Sequence, residues 1–174
     1  MRRIDLQLFG NAVSGKKVIY LYRPHDEAAT MNGTQIAFVT ENGRTKSKDA
    51  DSTATKDGSI RTPGAMEQEI TCTSILSSDD EMIDKLETCL DDDKLMDIWE
   101  ADLTRPGTAN NTFKGRYFQG FVTEFEKTSN AEDMVEISLT FGVNGKGATG
   151  DVTVTAAQQE AASYVFVDTP KTGV

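Results

Sequence analysis

Between Glu41 and Thr62 the chain reads ENGRTKSKDADSTATKDGSIRT, a stretch whose only large apolar side chain is Ile60. It separates two segments with strand character, TQIAFVT (34–40) and MEQEITCTSIL (66–76). A connection so long and so polar has nothing to bury in its own domain. Structureless loops beyond ~12–15 residues are functional or disordered in compact proteins. The sequence therefore predicts a long inter-strand loop that orders against a neighbouring molecule.

With 174 residues, 37% of them hydrophobic, the chain holds enough apolar material for one domain plus extensions. The expected division is an N-terminal arm over 1–15, a β domain over 16–143 and a C-terminal arm over 144–174. Acidic side chains outnumber basic ones 28 to 18, for a net charge of −10. That balance argues against general nucleic-acid binding, which depends on clustered Lys and Arg. The two cysteines, Cys72 and Cys89, have neither metal-ligand nor disulfide-framework spacing and read as buried thiols of a reducing compartment. Asp5 interrupts the apolar N-terminal run, so residues 1–15 lack the h-region of a secretory signal, and no stretch approaches a membrane span. A cytoplasmic site of synthesis is expected.

Alternation marks the other elements. KKVIYLYRP (16–24) is apolar on both faces and predicts a covered strand. In 66–76, Met66, Gln68, Ile70, Cys72 and Leu76 point one way, while Glu67, Glu69, Thr71 and Thr73 form a polar second face. A helix over 79–91 is predicted from the Ser78-x-x-Glu81 capping box and the stripe Met82, Ile83, Leu86, Cys89, Leu90. KLMDIWEADL (94–103) reads as a strand. RPGTANNT (105–112) has turn composition, and GRYFQGFVTEFEKTSN reads as a long strand with Tyr117, Phe121 and Phe125 on one face and Phe118 and Val122 on the other. MVEISLTFGV (134–143) has the clearest period of two, with Glu136, Ser138 and Thr140 on its polar side. NGKGATGD reads as a flexible joint, followed by a late strand near 164–167.

Catalytic chemistry is not legible. The single histidine, His25, lies in a turn beside Asp26 and Glu27 and reads as solvated. No HExxH, GxSxG, Walker-type or GxGxxG motif occurs. Asp91-Asp92-Asp93 lacks the ligand spacing of a calcium loop. No enzyme activity, cofactor or metal is expected. A carbohydrate-binding β-sandwich would need exposed aromatic platforms, and the only tryptophan, Trp99, falls in a strand with core character.

The order of elements, together with MRRIDLQLFGNAVSGKKVIYLYRP, SSDDEMIDKLETCLDDDKLMDIWEADL and GRYFQGFVTEFEKTSNAEDMVEISLTFGVNGKG, resembles the major tail proteins of long-tailed phages. The resemblance implies a mainly β fold, sandwich or barrel-like, with one flanking helix. It implies rings, hexameric in that family, stacked into a virion tail tube that assembles in the host cytoplasm and conducts DNA without binding it. It also implies tape measure and tail terminator proteins as partners, no membrane, and relatives among secretion and injection tubes. In such a subunit the long loop, here Arg44, Lys46, Lys48, Lys56 and Arg61, would contact neighbours. The polar rows Glu67, Glu69, Thr71, Thr73 and Glu136, Ser138, Thr140 are the candidates for the channel wall. The loop carries a net charge of +1 and the rest of the chain −11, so a basic loop would meet an acidic neighbour.

Overall fold

The computed structural model describes residues 12–162. Seven strands form one antiparallel sheet: β1 (Val18–Pro24), β2 (Val39–Thr55), β3 (Gly58–Ile75), β4 (Met96–Pro106), β5 (Thr112–Thr128), β6 (Glu136–Val143) and β7 (Ala148–Thr153). The strand order is β1-β4-β5-β6-β3-β2, with β7 also paired to β5. Helix α1 (Glu81–Asp91) lies between β3 and β4, and helix α2 (Ala156–Ala162) follows β7.

The sheet curls so that side chains of its two end strands meet across the core. Tyr22 of β1 stacks on Phe141 of β6 with ring centroids 5.0 Å apart, and its hydroxyl donates to Asn42 Oδ1 of β2 at 3.2 Å. Arg44 of β2 reaches Glu100 of β4 at 2.7 Å. One core fills the resulting barrel-like body, built from Ile70 and Cys72 (β3), Met96 and Ile98 (β4), Phe118 and Val122 (β5), and Ile137, Leu139 and Phe141 (β6). Met82, Ile83, Leu86 and Cys89 of α1 close it. A smaller cluster of Ile19, Leu21, Ala101, Val152 and Val154 packs on the opposite face of β1 and β4, with Trp99 beside it.

The polar run over 41–62 is not a loop. It is the far half of the β2–β3 hairpin, paired from Val39↔Ser74 to Thr55↔Gly58 and turned at Lys56-Asp57. Serine and threonine recur through it, and Gly58, with φ of 135°, supplies the conformation that the turn requires. The expected strand over 34–40 shrinks to a single bridge, Tyr22↔Thr34, before β2 starts at Val39. A bulge between Val122 and Glu124 turns Phe125 onto Leu139. Phe125 therefore joins the core side, away from the face of Tyr117 and Phe121. The helix begins later than the capping box suggested, because Asp80 is the N-cap and accepts from Met82 N at 3.0 Å. Its second oxygen takes Ala37 N at 2.8 Å, tying the approach to β2 onto the helix.

Part of the expected C-terminal arm belongs to the sheet. Residues 148–153 form β7 against β5, with Phe113↔Val152 in register. Backbones come close at Gly115, where a Cβ would strike the Glu100 carbonyl and the Val152 side chain. Gly115→Ala is expected to cost at least ~2 kcal/mol by spreading β4, β5 and β7, read as a lower urea midpoint. The expected strand near 164–167 and residues 1–11 of the expected N-terminal arm lie outside the described residues.

Candidate assembly surface

Register brings the two predicted polar rows onto one face. Thr71 sits opposite Thr140, Thr73 opposite Ser138, and Ile75 opposite Glu136, while Glu67 and Glu69 continue the β3 row towards the hairpin. Glu67, Glu69, Thr71 and Glu136 are exposed, and Thr73, Ser138 and Thr140 are half-buried. The flanking strands extend the face with residues that the sequence reading missed: Glu41 and Thr45 from β2, Glu124, Glu126 and Thr128 from β5. No lysine or arginine shares it along β3, β6 and the paired parts of β2 and β5.

The carboxylates on this face are interleaved. Glu41 pairs with Thr73, Glu69 with Thr45 and Glu67 with Ser47 across β2–β3. Glu124 pairs with Thr140, Glu126 with Ser138 and Glu136 with Thr128 across β5–β6. Every carboxylate thus stands opposite a hydroxyl and none opposite another acid, which avoids the direct like-charge pairs that destabilise a sheet. Thr140 Oγ1 donates to Glu124 Oε2 at 3.2 Å. The strand alternation explains why this surface was readable, since Ile70, Cys72, Ile137 and Leu139 bury the other side of the same strands.

The hairpin presents different chemistry. β3 pairs with β6 only as far as Glu69↔Gly142, so about ten residues of each hairpin strand, roughly 30 Å at ~3.3 Å per residue, extend past the body. Lys46, Lys48, Lys56 and Arg61 are exposed on it. Arg44 is not available in the same way: it lies at the root, half-buried, bonded to Glu100 and 5.8 Å above the Phe118 ring. Glu100 also accepts from the Tyr20 hydroxyl at 2.7 Å. Burial, then the bond and charge of Glu100, push the Tyr20 hydroxyl well above its ordinary pKa. Ile60, near the tip, is an exposed large apolar residue, and Phe38 and Met134 are others at the opposite end of the sheet. Phe38 also adopts φ of 49°, a conformation that costs a bulky residue energy.

Two strand edges are open on the strands that build the acidic face. β2 has β3 on one side and no strand on the other among the described residues. β5 is flanked by β4 only up to Gly120↔Met96, so Phe121–Thr128 pair with β6 alone.

A third feature is buried. Asp97 of β4, 1% exposed, bonds Arg23 Nη2 at 2.7 Å, accepts from Tyr117 Oη at 2.7 Å and lies 2.9 Å from His25 Nδ1. Burial alone would raise its pKa, but the bonds from Tyr117, Arg23, His25 and Gln119 outweigh it and hold the carboxyl below its usual range. Burial and the Asp97 bond push Tyr117 up to about 12. His25 keeps half of its side chain exposed, as expected of a turn residue, and lies against Asp97 as well. This cluster anchors β1 to β4 and β5, with Arg23 also 4.9 Å above the Trp99 ring. Both cysteines are buried and unbridged, and burial lifts the Cys72 thiol to about 12.

Gln68 breaks the pattern of satisfied interiors. It is 4% exposed, yet neither its amide nitrogen nor its oxygen has a partner. Gln68→Met, close in volume, is expected to raise the unfolding free energy of the subunit by ~1 kcal/mol in urea titration.

The phage tail tube protein family matches residues 12–148. The chain belongs to that family. A tail protein of Staphylococcus phage phiMR25 is 33% identical over 158 residues, covering 88% of this chain and 81% of the relative. The tail tube subunit of SPP1 shares the fold with a TM-score of 0.73 at 19% identity, covering 94% of this chain and 95% of that one. A subunit of a gene transfer agent virion aligns with a TM-score of 0.60 at 9% identity, covering 80% and 99%. A chain of the sheath-tube complex of an extracellular contractile injection system aligns with a TM-score of 0.58 at 12% identity, covering 83% and 95%. As a tail tube protein the chain is a structural component of the phage virion, and its mainly β fold with one flanking helix is the fold of tail tubes. Among the described residues no helix is long and apolar enough to cross a membrane.

Proposed function

We propose that this tail tube protein closes into hexameric rings whose bore is lined by the face carrying Glu67, Glu69, Thr71, Thr73, Glu136, Ser138 and Thr140, and that the stacked rings conduct DNA into the host. The observation that carries this reading is the coincidence of an all-acidic, hydroxyl-spaced face with two open edges on the same four strands, β2-β3-β6-β5. Three antiparallel steps separate β5 from β2, so the two run in opposite directions. A rotation about an axis along the strands preserves direction. The β2 edge of one subunit can then pair antiparallel with Phe121–Thr128 of the next, turning an aggregation hazard into a closed barrel. Six-fold order is supported by the C6 symmetry of the gene transfer agent tail.

A wall of carboxylates and hydroxyls repels the phosphate backbone weakly and keeps a water layer between DNA and protein. The exposed hairpin bases Lys46, Lys48, Lys56 and Arg61, with Ile60 at the tip, are contacts to neighbouring subunits. The tape measure protein inside the tube and a terminator at its end are the further partners. The role is structural rather than enzymatic. Residues 1–15 act as an arm between subunits, as does the chain beyond β7.

Negative-stain microscopy of the purified chain across a concentration series tests the reading. Tubes or rings that appear above a threshold concentration support it, and a monomer at every concentration, absent from purified virions, refutes it. The triple substitution Glu67→Lys, Glu69→Lys, Glu136→Lys is expected to allow tube assembly yet slow DNA release, measured as the rate of dye-accessible DNA on triggering virions.

A further inference from the structure

The two ends of the sheet differ in charge. Strand directions put residues 12–17, the hairpin extension 44–68, and the segments 102–116 and 144–151 at one end. These hold eleven basic and six acidic side chains. The connections 25–33, 76–95 and 127–136 lie at the other end and hold thirteen acidic and three basic ones. Two molecules meeting head to tail bring opposite charges together, and two meeting head to head do not.

The basic end contains a cavity of about 410 Å³, lined by Arg44, Arg105, Arg116, Lys114, Glu100 and Asp102 together with backbone of β5 and β7. Two of its cations are already used. Arg44 is held by Glu100 and Lys114 by Asp151. Asp102 accepts from Thr104, both from its backbone N–H at 3.0 Å and from its hydroxyl at 2.6 Å. Arg116 is half-buried, and neither it nor Arg105 has an ion-pair partner among the described residues. Guanidinium pairs held at a concave site accept carboxylates in bidentate geometry.

The acidic end offers a fitting group. Asp91, Asp92 and Asp93 stand exposed at the C-terminal end of α1, where the helix dipole already presents negative charge and the last turn holds no base. Lys94 reaches Asp92 at 3.8 Å, leaving Asp91 and Asp93 without an ion pair among the described residues.

We propose that the Arg105–Arg116 cavity receives Asp91 and Asp93 of a second copy in the adjoining ring, so that stacking proceeds with one polarity. This rests on the tube reading and adds to it the contact between rings. The contact differs from the β2–β5 edges that close a ring.

The full chain is tested as wild type, as Arg105→Glu with Arg116→Glu, as Asp91→Lys with Asp93→Lys, and as all four substitutions together. Tube length and the concentration at which tubes appear are read by microscopy and light scattering at low and high salt. Each double variant is expected to raise the threshold concentration by ~tenfold or more while single rings persist, and the fourfold variant to restore tubes. Tubes of wild-type length from either double variant, or no recovery in the fourfold one, overturn the proposal. Should the cavity variant fail to fold by circular dichroism, the exposed Asp91/Asp93 variant decides alone. If the wild type forms neither rings nor tubes, the functional reading fails and this inference with it. If it forms tubes and the charge variants do too, the inference fails alone.

Discussion

Replacing residues 48–66 with Asn-Gly, so that the paired residues Ser47 and Glu67 flank a two-residue turn, is expected to give a folded subunit that makes no tubes at any concentration. The excised residues are nearly all exposed and make no contribution to either hydrophobic cluster. Asn-Gly suits the twist of a tight hairpin. Arg44 and Gln68 stay in place, so the Arg44–Glu100 bond and the core survive. The melting temperature should stay within a few degrees of wild type, while light scattering and microscopy lose all polymer. Normal tubes from this variant would show that the projecting hairpin is dispensable.

Asp97→Ala should unfold the subunit more readily than any exposed substitution, by about 3–5 kcal/mol, because it strands Arg23 and the Tyr117 hydroxyl against a site 1% exposed. Asp97→Asn keeps the shape and should cost less. The effect has a pH signature. The Asp97 carboxyl sits below its usual range in the folded state, so its contribution is complete above the unfolded carboxylate pKa, about 3.9, and is lost as pH falls through the lower folded value. Urea titrations of wild type and Asp97→Ala should therefore differ most near neutrality and converge in strong acid. A constant difference across that range would mean that the ionised carboxylate is not the source.

Elements with one buried face were readable from the sequence. β6 and α1 follow their apolar periods because Ile137, Leu139 and Phe141, or Met82, Ile83, Leu86 and Cys89, must all reach one core. The same alternation put Glu67, Glu69, Glu136 and their hydroxyl neighbours on the opposite side. The hairpin was not readable as strand because both of its faces meet solvent beyond Gln68, so burial imposes no period on Lys46–Arg61. β7 was hidden by Ala148-Thr149-Gly150, which has joint-like composition, with Val152 its one core residue. The bulge before Glu124 moved Phe125 across the sheet, an event that no local pattern announces. The partners of Asp97 lie far away in sequence, Arg23 by 74 residues. The only local sign was an aspartate set between the buried Met96 and Ile98. The Arg105–Arg116 cavity depends on the pairing of β4, β5 and β7 and has no sequence signature.

Helical reconstruction of tubes formed by the full chain shows which face lines the bore and which edges pair. Density for Glu67, Glu69, Glu124 and Glu136 is expected on the bore, with β2 of each subunit hydrogen-bonded to Phe121–Thr128 of its neighbour. Tubes in which those glutamates face outward, or in which the two edges remain unpaired, would contradict it.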